Sequence, residues 1–178
     1  MEKLVIFDSL TGNTKMLADK IYNFYKQKGE SIKIIDVKKE DEEEIIKLVN
    51  KTDIIFAGSW TDKGDCSDRM KSIYEKILNK KIFVFATCGF GGDKTYYSKL
   101  LERVKKHIDK SNQIIGSFYC QGKMPNSTKE RYISLIKANP EDKNLKVSLE
   151  NFENALKHPN NNDLIELEKQ LIKSVDIN

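Results

Sequence analysis

At 178 residues, 39% hydrophobic and 33% charged, the chain is long and apolar enough for one globular domain with a full core, residues 1–178. Its net charge of +4 comes from lysines spread along the whole length, with arginine only at positions 69, 103 and 131, which argues against a dedicated nucleic-acid surface. No N-terminal signal pattern and no apolar run of membrane-spanning length is present, so a cytoplasmic location and no membrane partner are the default expectations.

Lys3–Phe7 is a continuous apolar, β-branched run of the kind buried on both faces of a parallel sheet, and it predicts a first strand over Lys3–Asp8. Met16, Leu17, Ile21, Phe24 and Tyr25 recur at helical spacing, predicting an amphipathic helix from Asn13 to Lys28 that Gly29 closes. Ser31–Val37 alternates apolar and polar residues as an edge strand does. The acidic run Glu40–Glu44 suits a helix N-terminus, and this second helix continues to Asn50. Further strands are expected at Asp53–Ser59, Lys81–Thr87 and Gln113–Tyr119, with helices over Ser67–Leu78 and Tyr96–Ile108 between them. Five strands alternating with helices imply an α/β, doubly wound five-stranded parallel sheet with right-handed crossovers.

Residues 121–162 break the alternation. They fit one or two short helices, with a capping-box pattern at Ser127 and Glu130, and form a helical insertion or subdomain after strand 5. A final helix over Asp163–Val175 places Leu164, Leu167, Leu171 and Val175 on one face, where it closes the open side of the sheet.

Between the first strand and helix lie six residues, Ser9 to Thr14, small or hydroxyl-bearing apart from Leu10. Helix N-termini carry unsatisfied N–H groups and a partial positive charge, so such a turn suits a phosphate, with Gly12 supplying backbone freedom and Ser9, Thr11, Asn13 and Thr14 further donors. The competing reading is an ordinary turn in which Asn13 or Thr14 merely caps the helix. Neither a GxxxxGK[ST] loop nor a GxGxxG turn is present. Cys66, Cys88 and Cys120, odd in number and without CxxC spacing, indicate reduced thiols, not a disulfide framework or a zinc site. His107 and His158 are expected away from the site, in solvated or capping roles.

With Ser-Leu-Thr-Gly-Asn-Thr at positions 9–14 the chain resembles the flavodoxins, whose phosphate loop reads (S/T)xTGNT after strand 1. Gly58–Gly64 and Thr87–Tyr97 match the two loops that flank the flavin ring in that family, and the resemblance covers residues 1 to 120 and the last helix. It implies strand order 2-1-3-4-5, with the ligand at the switch point between strands 1 and 3. It also implies FMN held by Ser9, Leu10, Thr11, Gly12, Asn13 and Thr14, by Ser59, Trp60, Thr61, Asp62, Lys63 and Gly64, and by Thr87, Cys88, Gly89, Phe90, Gly91 and Tyr96. Trp60 would stack on the ring, the alternative being that it plugs a helix against the sheet, and Gly64 or its neighbouring peptide would be the flexible element beside the reactive edge. Gln121 and Lys123 would touch the cofactor's rim or a partner. No catalytic acid or base and no metal ligand is expected.

The resemblance implies a monomeric carrier that takes electrons singly from a reductase to an acceptor protein. Some flavodoxin-family proteins of anaerobic gut bacteria with a Trp-x-Asp-Lys-Gly turn are similar and serve a bilirubin-reducing enzyme, a partner suggested by Trp60–Gly64. Two other functions fit the fold: an NAD(P)H-dependent FMN or quinone reductase, and a receiver-type signalling module. Thr87 and Lys123 fit the latter, but Gly58 and Ser59 stand where it needs an acceptor aspartate. The chain is basic where flavodoxins are commonly acidic, so its partner is expected to present an acidic patch, and the flavin's second reduction potential to be less negative than in acidic relatives.

Overall fold

The structure is a computed structural model and describes residues 1–175, without the side chain of Val175. Five strands pair in parallel in the order β2-β1-β3-β5-β6, where β1 is Lys3–Asp8, β2 Ile32–Asp36, β3 Ile54–Asp62, β5 Lys81–Cys88 and β6 Gln113–Gln121. The remaining strand, β4 (Asp65–Cys66), is short and pairs antiparallel with the end of β3. With β4 set aside this is the expected 2-1-3-4-5 path.

Strand alternation decides which side chains face which helices. Leu4 and Ile6, Ile55 and Ala57, and Ile82, Val84 and Ala86 point to one face, where α2 (Glu42–Asn50), α3 (Asp68–Tyr74) and α4 (Lys94–Val104) cover them with Ile45, Val49, Met70, Ile73, Tyr74, Leu100 and Val104. Val5 and Phe7, Phe56, and Phe83 and Phe85 point to the other, beneath α1 (Asn13–Gln27) and α7 (Asn161–Val175), which supply Leu17, Ala18, Ile21, Phe24, Tyr25, Leu167 and Leu171. The α7 stripe therefore closes the sheet as expected through Leu167 and Leu171, with Leu164 partly buried; the share expected of Val175 lies outside the described residues.

Residues 121–162 hold two helices, α5 (Asn126–Ala138) and α6 (Lys143–Ala155), which pack on each other. The capping box does not form. Pro125, at φ −58° and ψ 146°, is the N-cap two residues ahead of Ser127, so Ser127 falls inside the helix, and Glu130 instead accepts from Asn126 Nδ2 at 3.2 Å.

Candidate functional site

The carboxyl ends of β1, β3 and β5 carry the turns that build the site. After β1, Gly12 adopts φ +87°, with open space where a Cβ would stand, so backbone conformation and not crowding calls for glycine there. Its amide donates to Ser9 Oγ at 3.1 Å. The helical ladder begins with Met16 N to Gly12 O at 3.0 Å, and among the described residues no side chain caps α1 and no acid stands in its first turn. Neither Asn13 nor Thr14 caps α1, and among the described residues no side chain accepts from the amides of Asn13 to Lys15, at the positive end of a 15-residue helix. Asn13 spends its Nδ2 on Thr11 Oγ1 (2.7 Å) and on the carbonyl of Lys123 (2.8 Å), while Thr14 Oγ1 is buried against Thr87 Oγ1 at 2.9 Å.

The Gly58–Gly64 segment is no loop. β3 runs on through Trp60 and Thr61 to Asp62, and a two-residue turn at Lys63 (φ 48°) and Gly64 (φ 83°) returns the chain as β4, pairing Thr61 with Cys66 and Asp62 with Asp65. Positive φ at both turn positions matches the twist of the two strands. Ser59 lies beneath this hairpin, donating to Trp60 O (2.7 Å) and accepting from Ser67 N (2.9 Å), which ties β3 to the start of α3. From outside, Arg103 Nη1 donates to Gly64 O at 3.0 Å and His107 Nε2 meets Asp65 Oδ2 at 2.9 Å, with Lys71 Nζ 3.8 Å away. His107 is thus not remote; it buttresses the hairpin that carries Trp60. Burial works against ionising Asp65, but its hydrogen bonds from His107 and the Cys66 amide, with the nearby positive charges, outweigh it and hold the carboxyl below its ordinary value.

After β5, the Gly89 carbonyl accepts from Gln121 Nε2 and from Asn151 Nδ2, each at 3.0 Å. Phe90, after β5, is 42% exposed, and Leu10, in the turn after β1, 56%. Tyr96 is half-buried on α4, its ring centroid 6.2 Å from that of Tyr97, and burial raises its phenol. All three cysteines are free and buried; burial pushes the thiols of Cys66 and Cys88 up to about 12 and raises that of Cys120 as well, so they are poor nucleophiles.

These turns enclose a cleft of about 120 Å³ lined by Leu10, Thr11, Asn13, Trp60, Thr61, Thr87, Cys88 and Gly89, together with Gly122, Lys123, Met124 and Pro125. Eight of its twelve lining residues are ones the sequence marks as FMN binders. Ser9, Gly12 and Thr14 belong to the turn after β1 without lining the cleft, and Ser59, Asp62, Lys63, Gly64, Phe90, Gly91 and Tyr96 do not line it either. Of the four residues after β6, the sequence points only to Lys123, and nothing in the spacing of the others marks them. A larger groove of about 430 Å³ lies elsewhere, between α4, β6 and α7.

Fold and site together define a doubly wound protein with a helix N-terminus left without a side-chain cap and a cleft lined by Trp60 at the topological switch point. A family profile described as Flavodoxin domain matches residues 4–172, and the chain belongs to this family of FMN-binding electron-transfer flavoproteins. It is similar to the flavodoxin-like domain-containing protein BilS of Clostridioides difficile, at 36% identity over 93% of this chain and 92% of that one. The BilS of Clostridium symbiosum is 32% identical over 98% and 96% respectively. Among solved structures, the Flv1 flavodiiron core from Synechocystis aligns with a TM-score of 0.53 at 18% identity; 95% of this chain is covered but only 36% of that longer protein, a likeness of fold.

Proposed function

We propose that the chain acts as one unit over residues 1–178, binds FMN without a covalent bond, and passes single electrons from a reductase to an acceptor enzyme, with a bilirubin-reducing enzyme as the acceptor. The observation that carries the cofactor reading is the start of α1, left without a side-chain cap or an acidic residue beside a cleft walled by Trp60. The amides of Asn13 to Lys15 would hold the phosphate, with Thr11 and Ser9 hydroxyls within the same turn. Trp60 would stack against the flavin, while Leu10 and Phe90 keep water from its exposed edge. The flavin supplies the one-electron chemistry; the protein's part is to orient it and bias its charge states.

Asp62, Asp65, Asp68 and Asp93 are nearly balanced around the site by Lys63, Arg69 and Lys94, and Asp65 is already engaged by His107 and Lys71. Repulsion of a reduced, anionic flavin is therefore weak, so its second reduction potential should lie above that of acidic relatives. Basic overall charge favours an acceptor with an acidic patch, and transfer should slow with salt because steering acts within about a Debye length, ~8–10 Å.

The test is a comparison of FMN with riboflavin. The purified protein should bind FMN in preference and quench Trp60 on doing so. Equal affinity for the two would remove the phosphate turn from the account, and steady NAD(P)H oxidation with free FMN, a quinone or dioxygen as the electron sink would make the protein a reductase.

A further inference from the structure

β6 outlasts its expected end at Tyr119 and runs to Gln121, and the chain beyond it does not turn away from the site. Gly122 N donates to Cys88 O at 2.9 Å, and the Lys123 carbonyl then accepts from Asn13 Nδ2 at 2.8 Å and Thr11 Oγ1 at 3.4 Å. The chain thereby reaches from β6 to the turn after β1, three places away in the sheet. Met124 lies over Gly89 so closely that a Cβ there would stand 2.6 Å from its sulfur. Lys123 and Pro125 are exposed, so little apolar surface fixes this segment.

Polar contacts fix it instead. Asn151 on α6 donates to Gly89 O at 3.0 Å and accepts from Gln121 Nε2 at 2.9 Å, while Gln121 Nε2 also reaches Gly89 O at 3.0 Å. Three side-chain bonds thus close a triangle joining the end of β6, the β5 loop and α6. With this segment in place the cleft measures about 120 Å³, well short of the roughly 300 Å³ at which ligand pockets begin. Two phosphate-turn side chains, Thr11 and Asn13, are meanwhile occupied by the Lys123 carbonyl.

We infer that Gln121–Pro125 is a strap across the cofactor cleft, that it must lift for FMN to bind, and that Asn151 is the positioning residue that locks it. The inference rests on the FMN reading above. An incoming phosphate competes with the Lys123 carbonyl for Thr11 and Asn13, so the ligand itself favours the lifted state. The α5–α6 pair, joined to the strap at Pro125 and to the β5 loop through Asn151, moves or yields with it.

Stopped-flow mixing of apo-protein with FMN, followed by Trp60 emission, tests this. The observed rate should saturate with FMN concentration at the rate of strap opening. Asn151→Ala should raise that plateau and the FMN dissociation rate several-fold while leaving the urea midpoint in place, and Ser148→Ala on the same helix should change neither rate. Amide exchange of apo-protein at Gly122 and Lys123 should be faster in Asn151→Ala. A rate that stays linear in FMN into the ordinary association range, about 10⁵–10⁷ M⁻¹s⁻¹, and is indifferent to Asn151, overturns the strap while leaving the FMN reading intact. No binding of FMN at any concentration, by flavin emission as well as by Trp60 quenching, overturns the FMN reading itself; unchanged exchange in Asn151→Ala overturns the lock on its own.

Discussion

Phe56, fully buried between Val5 and Phe83 in the sheet, and Asn151, half-buried on α6, hold two regions of the molecule by different means. The sheet region is fastened by apolar side chains that interlock on both faces, so no single polar bond decides its shape. The α5–α6 region buries Tyr132, Phe152 and Ala155 but leaves Ile133, Leu135, Val147 and Leu156 at least a third exposed, and it meets the site through amide hydrogen bonds. If the strap governs FMN entry, stability and binding kinetics reside in different places: interlocked apolar contacts fail only with the fold, whereas a few polar bonds open locally.

Phe56→Ala attacks the first region and should cost about 3–5 kcal/mol in urea unfolding, through lost burial and the cavity left beneath α1. A loss below about 1 kcal/mol would mean the core collapses to fill it, and would blur the contrast. Ser9→Asp addresses the turn between the regions, because Ser9 Oγ already accepts from the Gly12 amide and Gly12 itself, at φ +87°, takes no side chain without strain. The introduced carboxylate would keep that acceptor and repel phosphate, weakening FMN by about 1–3 kcal/mol while leaving riboflavin nearly unaffected. Equal losses for both ligands would point to distortion of the turn instead.

Asp65 gives a smaller, pH-dependent effect at the hairpin. Because its carboxyl is held low in the folded chain, its stabilisation is complete above the unfolded value of about 3.9 and fades as pH falls through the folded value. Asp65→Asn should remove about 1 kcal/mol near neutral pH and flatten the acid limb of the stability curve; an unchanged acid limb would assign that loss to other carboxylates. Leu135→Ala, 40% exposed on α5, should move stability by no more than about 0.5 kcal/mol. A larger loss would show that α5 is packed more firmly than its exposure implies.

The strands and helices of the sheet region are readable because each apolar run carries its own periodicity. The hairpin at Lys63 and Gly64 reads as a loop because β4 has two residues, too few for alternation to register, and Lys-Gly is a weaker turn signal than Asn-Gly. His107 reads as a solvated residue because its partner Asp65 lies 42 residues away. α3 ends at Tyr74 and not Leu78, because the ladder tightens there to Lys76 N to Ile73 O and Ile77 N to Tyr74 O, and Asn79 at φ 56° then leads the chain into β5.

Local spacing and residue chemistry suffice to specify the parallel sheet, its two apolar faces and the phosphate-type turn at Ser9 to Thr14. How the donors in that turn are used is a matter of tertiary contact. Asn13 serves the Lys123 carbonyl 110 positions away, Thr14 serves Thr87, and the amides at the start of α1 keep no side-chain cap. Strand order brings those groups together, and a hydrogen bond of 2.8 Å depends on that meeting, to which sequence distance gives no guide.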